Sequence, residues 1–150
     1  MDAIKIENFR RLNPTGEFPR FTHLSLAECA HLRADIAKRL GIDSGADPLA
    51  VLSFLHAAAR PISGVNAQNG IELRTLILSQ DLKPEAEVFV NWHRFDDIDR
   101  VALIDLSKNF GDIWYPSSDD IEVFDASLDW FAFVRHDGAV SVLDLTFSAG

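Results

Sequence analysis

The densest run of groups able to do chemistry is Trp92-His93-Arg94-Phe95-Asp96-Asp97-Ile98-Asp99. An imidazole beside carboxylates has the makings of general acid–base catalysis, and neighbouring aspartates can share a divalent cation. The segment also lies between two expected strands, where aspartate is favoured because its side chain accepts from nearby backbone N–H groups. The turn reading is the simpler one. Asp119-Asp120 after Ser117-Ser118 reads the same way, and His136 before Asp137-Gly138 is first of all a hairpin-tip residue. The five histidines, at 23, 31, 56, 93 and 136, include no i, i+4 pair. His56 is expected as a helix histidine bonded to backbone. The sole cysteine, Cys29, falls in an apolar helical stripe and is expected to be a small core residue. One cysteine excludes an intramolecular disulfide and a thiolate zinc site, and fits a reducing compartment. There is no glycine-rich phosphate loop, no GxSxG elbow and no HExxH, so no catalytic residue, cofactor or metal is expected.

The charge is more informative. The 150 residues carry a net charge of −9, with 47% hydrophobic and 25% charged residues. That is ordinary globular composition, and the acidic balance argues against a grip on nucleic-acid phosphates. Residues 1–90 hold eleven acids against ten bases, whereas residues 91–150 hold twelve acids against four bases. Aromatic residues are interspersed through that acidic half, from Trp92 to Phe147. Acidic charge with aromatic anchors suits fast, tight capture of a basic protein, since long-range attraction raises the on-rate and buried rings slow release. The plainer alternative is an acidic, solubilising surface around an aromatic core. On the first reading Asp96, Asp97, Asp99, Trp114, Asp119, Asp120 and Glu122 are the contact candidates.

These residues must be positioned by elements that the pattern predicts. Residues 1–24 look irregular, with Arg10, Arg11 and Arg20 on a solvated surface and room for one short helix or strand. Ser25 and Glu28 form a capping box that starts a helix running to about Leu40, with Gly41 after it. Asp47 as N-cap and Pro48 at the first position start a second helix to about Arg60. That helix is apolar around most of its circumference and is expected to be largely buried. From Ile71 the period is that of strands: 71–78, 87–92, 99–106, the short 113–115 and 121–124, then a hairpin of 129–135 and 139–145. A two-residue Asp137-Gly138 turn would place Phe133 opposite Val142 and bury both hairpin faces inside the sheet. The expectation is a single α+β domain over 1–150: two N-terminal helices packed on a mainly antiparallel sheet of about five to six strands, ending in the C-terminal hairpin. No apolar run reaches ~18 residues, and the N-terminus lacks a signal-peptide pattern, so no membrane association and a cytoplasmic location are expected.

The stretch from Asp112-Ile113-Trp114-Tyr115-Pro116 through Asp119-Asp120-Ile121-Glu122-Val123-Phe124-Asp125, with Ser127-Leu128-Asp129-Trp130 and His136-Asp137-Gly138, resembles the C-terminal part of small α+β bacterial proteins. Some of these are similar to immunity proteins of polymorphic toxin or contact-dependent inhibition systems. The resemblance implies a cytoplasmic, non-enzymatic protein that blocks a basic cognate toxin domain, often a nuclease. Two other functions stay open. One is a small enzyme or ligand-binding domain with a pocket at His93 and Asp96 or Asp97; the other is a subunit of a larger bacterial or phage assembly.

Overall fold

The computed structural model describes residues 1–146. Phe147, one of the expected aromatic anchors, lies outside the described residues. The fold is α+β. Among the described residues there are six α-helices, one 3-10 turn and one seven-stranded sheet, in which every strand runs antiparallel to its neighbours.

Local chemistry sets the first helices. Asp2 caps α1 (Ala3–Leu12) by accepting from the Ile4 amide. The arm continues into a short edge strand, β1 (Phe21–His23). Ser25 and Glu28 close both bonds of the capping box on α2 (Leu26–Arg39), which buries Cys29, Ile36 and Ala37. Asp47 accepts from the Ala50 amide at the start of α3 (Pro48–Ala58). α3 differs from expectation on one point. Val51, Leu52 and Leu55 are buried, but Leu49, Ala50, Ser53, Phe54, Ala57 and Ala58 all face solvent. The sheet lies on one side of the helix only, and among the described residues nothing covers the other.

Residues 60–66 form β2 (Arg60–Asn66), an edge strand bulged between Pro61 and Asn66. An edge is where proline is tolerated in a sheet. The expected strand over 71–78 is instead α4 (Leu73–Ser79). The Glu72 carboxylate caps it by accepting from the Thr75 amide at 2.7 Å, and Leu73 and Ile77, one helical turn apart, enter the core. β3 (Glu87–Asn91) and β4 (Ile98–Ala102) pair as a hairpin. The chain does not stay extended to residue 106, as the sequence pattern suggested. It turns into α5 (Leu103–Lys108), which buries Leu103 and Leu106 and leaves Ile104 outside. The segment at 113–115 is also not a strand, because α6 (Phe110–Ile113) ends there. Ser107 ties α5 to the start of α4. It accepts from the Arg74 amide at 2.8 Å and donates to the Glu72 carboxylate.

β5 (Ile121–Phe124), β6 (Trp130–Val134) and β7 (Ala139–Asp144) complete the sheet, in the spatial order β1-β4-β3-β5-β6-β7-β2. The β6–β7 hairpin is buried on both faces, as expected of an interior hairpin, but its turn is one residue longer. The Arg135 amide bonds the Ala139 carbonyl at 3.0 Å, and the Gly138 amide bonds the Arg135 carbonyl at 2.8 Å. Phe133 therefore opposes Ser141, not Val142. Strand alternation sends Ile121, Val123, Trp130, Ala132, Val134, Val140 and Val142 into the core under α4–α6. Phe124, Phe131, Phe133 and Leu143 go to the opposite face, under α2 and α3.

Candidate functional site

Three side chains from three distant segments meet on the α2–α3 face of the sheet. Glu122 is the second residue of β5, and the alternation that sends Ile121 and Val123 to one core sends Glu122 to the other. It lies in register between Asn91 of β3 and Phe133 of β6 and is fully buried. Its Oε1 accepts from the Asn91 side-chain amide at 2.8 Å. The Asn91 carbonyl oxygen in turn accepts from the Phe95 backbone amide at 2.9 Å, which seats Phe95 in the core and fixes the β3–β4 turn. In that turn His93 adopts φ +62 and Phe95 φ +57, a left-handed geometry uncommon outside glycine. The turn so shaped swings His93 back over the sheet, where Nδ1 lies 2.8 Å from Glu122 Oε2.

His56 closes the group from the last turn of α3. Its Nε2 lies 3.4 Å from Glu122 Oε2, and its ring packs on Phe133 with centroids 4.7 Å apart. The two imidazoles meet edge to face, centroids 5.3 Å apart. The hydrogen bond that His93 donates to the Glu122 carboxylate raises the His93 pKa above the ordinary histidine value, outweighing the burial that would lower it. His56 Nε2 is enclosed and makes no hydrogen bond. Two imidazole nitrogens and one carboxylate oxygen thus lie within 4.8 Å of one another. Such a set can move a proton or hold a divalent ion.

The alternative enzyme or ligand-binding reading centres a pocket on His93 with Asp96 or Asp97 as partner, but the structure gives His93 other partners. Asp96 is exposed and pairs with Arg94 at 2.9 Å. Asp97 turns away to the β1 side, 3.8 Å from His23. There Asp99 is fully buried, its Oδ2 accepting from the Trp92 indole at 2.8 Å and from the Met1 amino group, and its Oδ1 lying 2.9 Å from His23 Nδ1.

The other expected contacts are structural as well. Trp114 is buried, and its indole donates to the Asp119 carbonyl at 2.9 Å. The Asp119 carboxylate accepts from the Tyr115 amide and from Lys5. Lys5 is itself buried, 3.8 Å above the Tyr115 ring, a cation–π contact. Asp120 accepts from the His136 amide at 2.7 Å and contacts its ring at 2.9 Å. Burial pushes the Asp120 carboxyl up, but the amide and ring of His136 pull it lower still, to a net depressed pKa. Of the seven expected contact residues, Asp99, Trp114 and Glu122 are withdrawn from any surface, because their polar atoms are needed to close turns and strand ends inside the fold. Only Asp96 is exposed.

The acidic half therefore presents little acid. Of the twelve carboxylates in residues 91–146, only Asp96 and Asp137 are exposed, whereas all eleven in residues 1–90 are. Of the rings expected as anchors, Phe95, Phe110, Phe124, Trp130, Phe131 and Phe133 are core, and Trp92 and Tyr115 are half-buried. Among the described residues, the large apolar side chains that are exposed lie outside this half except for Ile104, and they include Leu49 at 72% and Phe54 at 43% on α3.

No helix among the described residues is long and apolar enough to cross a membrane. No family model, curated protein or solved structure matches the chain.

Proposed function

We propose that the protein is a cytoplasmic, non-enzymatic binding protein of the immunity type, which neutralises a basic cognate toxin domain by docking it on the outward face of α3. One observation carries this reading. Leu49, Ala50, Phe54, Ala57 and Ala58, interrupted only by Ser53, form an uncovered apolar stripe along one side of a helix. Contiguous exposed apolar surface of this kind is characteristic of interaction sites. The occupant follows from charge. Two copies carrying −9 each repel at long range, whereas a basic partner is drawn in by the same field. A nuclease domain, which must hold phosphates, has that basic character. The acidic face expected in residues 91–150 is replaced as the contact surface by α3, flanked at its N-terminus by the exposed Asp43 and Asp47.

The test uses the purified product of the reading frame immediately upstream of this one, titrated against the full chain by biolayer interferometry. A one-to-one complex is expected. Leu49→Asp and Phe54→Asp should each weaken it by ~30-fold or more, the scale of an interface hot spot, without lowering the thermal midpoint. No complex, or one that both variants bind as tightly as the parent chain, would overturn the proposal.

A further inference from the structure

We propose that His56, His93 and Glu122 form a binding site for one borderline divalent transition ion, Zn²⁺ by preference, separate from the α3 docking face and independent of it. Three features of the cluster point there. First, the donor set is two imidazole nitrogens and one carboxylate oxygen. That combination suits zinc and its transition-metal neighbours and disfavours calcium and magnesium, which take all-oxygen cages.

Second, the spacing is close to what the ion requires. Tetrahedral coordination with bonds of ~2.0–2.1 Å sets ligand atoms about 3.3 Å apart. His56 Nε2 already stands 3.4 Å from Glu122 Oε2. His93 Nδ1, at 2.8 Å from the same oxygen and within 4.8 Å of His56 Nε2, would exchange its hydrogen bond for a metal bond by moving outward from Glu122. His93 is 38% exposed and lies in a turn, so it can move and an ion can enter past it.

Third, the supporting shell is built. Glu122 Oε1 is held by Asn91, whose own carbonyl oxygen is anchored by the Phe95 amide, and this leaves Oε2 directed at the two rings. Ligand orientation by such outer hydrogen bonds is general in metal sites. His56 Nε2 is enclosed and lacks a hydrogen bond, a cost to the fold that coordination would remove. Three protein ligands leave a fourth position for water. The other comparable group, His23, Asp97 and Asp99, is less suited, because both Asp99 oxygens are engaged by the Met1 amino group, His23 and Trp92.

The test is isothermal titration of the tag-free full chain with ZnCl₂ in a chelator-free buffer, with Co²⁺ as a spectroscopic substitute. One ion per chain is expected, with a raised thermal midpoint and the intense visible band of a tetrahedral cobalt site. Outer-shell substitutions in metal sites cost ~10–100-fold in affinity, so loss of a ligand should cost at least ~100-fold. His93→Asn is the first variant, since asparagine tolerates the left-handed backbone at that position. His56→Phe is the second, keeping an aromatic ring against Phe133. Both should lose that affinity while keeping the parent circular dichroism, and His23→Ala should bind like the parent. No Zn²⁺ binding by the parent chain would overturn the proposal. So would tight binding retained in both variants, or binding lost in His23→Ala but kept in His93→Asn.

Discussion

Asp125 offers the sharpest test of how the fold is held. It is fully buried and accepts four hydrogen bonds. Oδ2 takes the Trp130 indole N–H at 2.7 Å and the Glu85 amide at 2.9 Å. Oδ1 takes the Ser127 amide at 3.0 Å and the Ser127 hydroxyl at 2.5 Å. It thereby pins the β5–β6 turn to the segment entering β3. In Asp125→Ala the Ser127 donors, half-buried, can find water. The indole N–H of Trp130, 1% exposed, cannot, and the part-buried Glu85 amide does so only in part. A stranded buried donor costs ~1–3 kcal/mol, so the loss should be about 3 kcal/mol. At ~2–4 °C per kcal/mol for a chain of this size, the thermal midpoint should fall by about 6–12 °C. Asp125→Asn should cost only ~1 kcal/mol. Its one carbonyl oxygen can serve Trp130 and Glu85 while its NH₂ faces the Ser127 hydroxyl, which can rotate to accept, and the half-buried Ser127 amide that loses its acceptor can turn to water. Urea denaturation followed by tryptophan fluorescence measures both, with an unchanged slope showing that only stability moved. An alanine variant within ~1 kcal/mol of the parent, or an asparagine variant as damaged as alanine, would refute the assignment.

Gly138→Ala should destabilise by ~2 kcal/mol or more, because φ is +91 and a Cβ would come within 1.9 Å of the Asn66 side chain; the left-handed backbone alone costs ~1–2 kcal/mol. Adding Asn66→Ala should recover part of that loss in the same urea assay, whereas an unrecovered double variant would place the whole cost in the backbone. Hydrogen bonds from Ser107 and Thr75 hold the Glu72 carboxyl below its ordinary pKa of 4.5. Its contribution is therefore complete above that value and lost as pH falls through the depressed one. Glu72→Gln should accordingly flatten the fall in stability below about pH 4.5, and an unchanged acid limb would disprove it. Burial raises the Cys29 thiol pKa, so Ellman's reagent should label the native chain only at its opening rate; prompt stoichiometric labelling near neutral pH would show the thiol to be accessible.

The legible parts of the fold are those decided within one turn of chain. Ser25 with Glu28, and Asp47 with Pro48, fix two helix starts through bonds that span three residues. Residues 73–79 were misleading because Thr75-Leu76-Ile77-Leu78 has strand-like composition. What decides the matter is the Glu72 cap and the burial of Leu73 and Ile77 against α5, a tertiary fact that overrides propensity. The hairpin register was illegible for a related reason. A one-residue slip normally exposes the apolar face, but here both faces of β6 and β7 are apolar, so the pattern fits either register. The choice falls to the longer turn and to β2 alongside, where the Ala67 amide bonds the Gly138 carbonyl at 2.8 Å. The triad of His56, His93 and Glu122 spans 67 positions in sequence and has no spacing signature. Its trace is a lone glutamate in the strand Ile121-Glu122-Val123-Phe124, at a position whose neighbours are all apolar.

The charge split misled through a distinction between net charge and placement. Residues 91–150 are acidic because the turns of a central antiparallel sheet need acceptors for backbone, indole and imidazole donors. Asp99, Asp119, Asp120, Glu122 and Asp125 each serve that need. The field survives this burial, since buried charges are screened less than exposed ones and a partner within the ~8–10 Å screening length still senses carboxylates that lie just beneath the surface. If the molecule docks a basic partner as proposed, steering and docking are separable. The field belongs to the whole chain and governs the association rate, so added salt should slow capture of a basic partner. The apolar stripe at Leu49 and Phe54 belongs to α3 and governs residence, so substitutions there should speed release and leave the salt dependence of association unchanged. If salt and the α3 substitutions instead acted on the same rate constant, attraction and contact would be one surface, and the separation drawn from the burial of these carboxylates would fail.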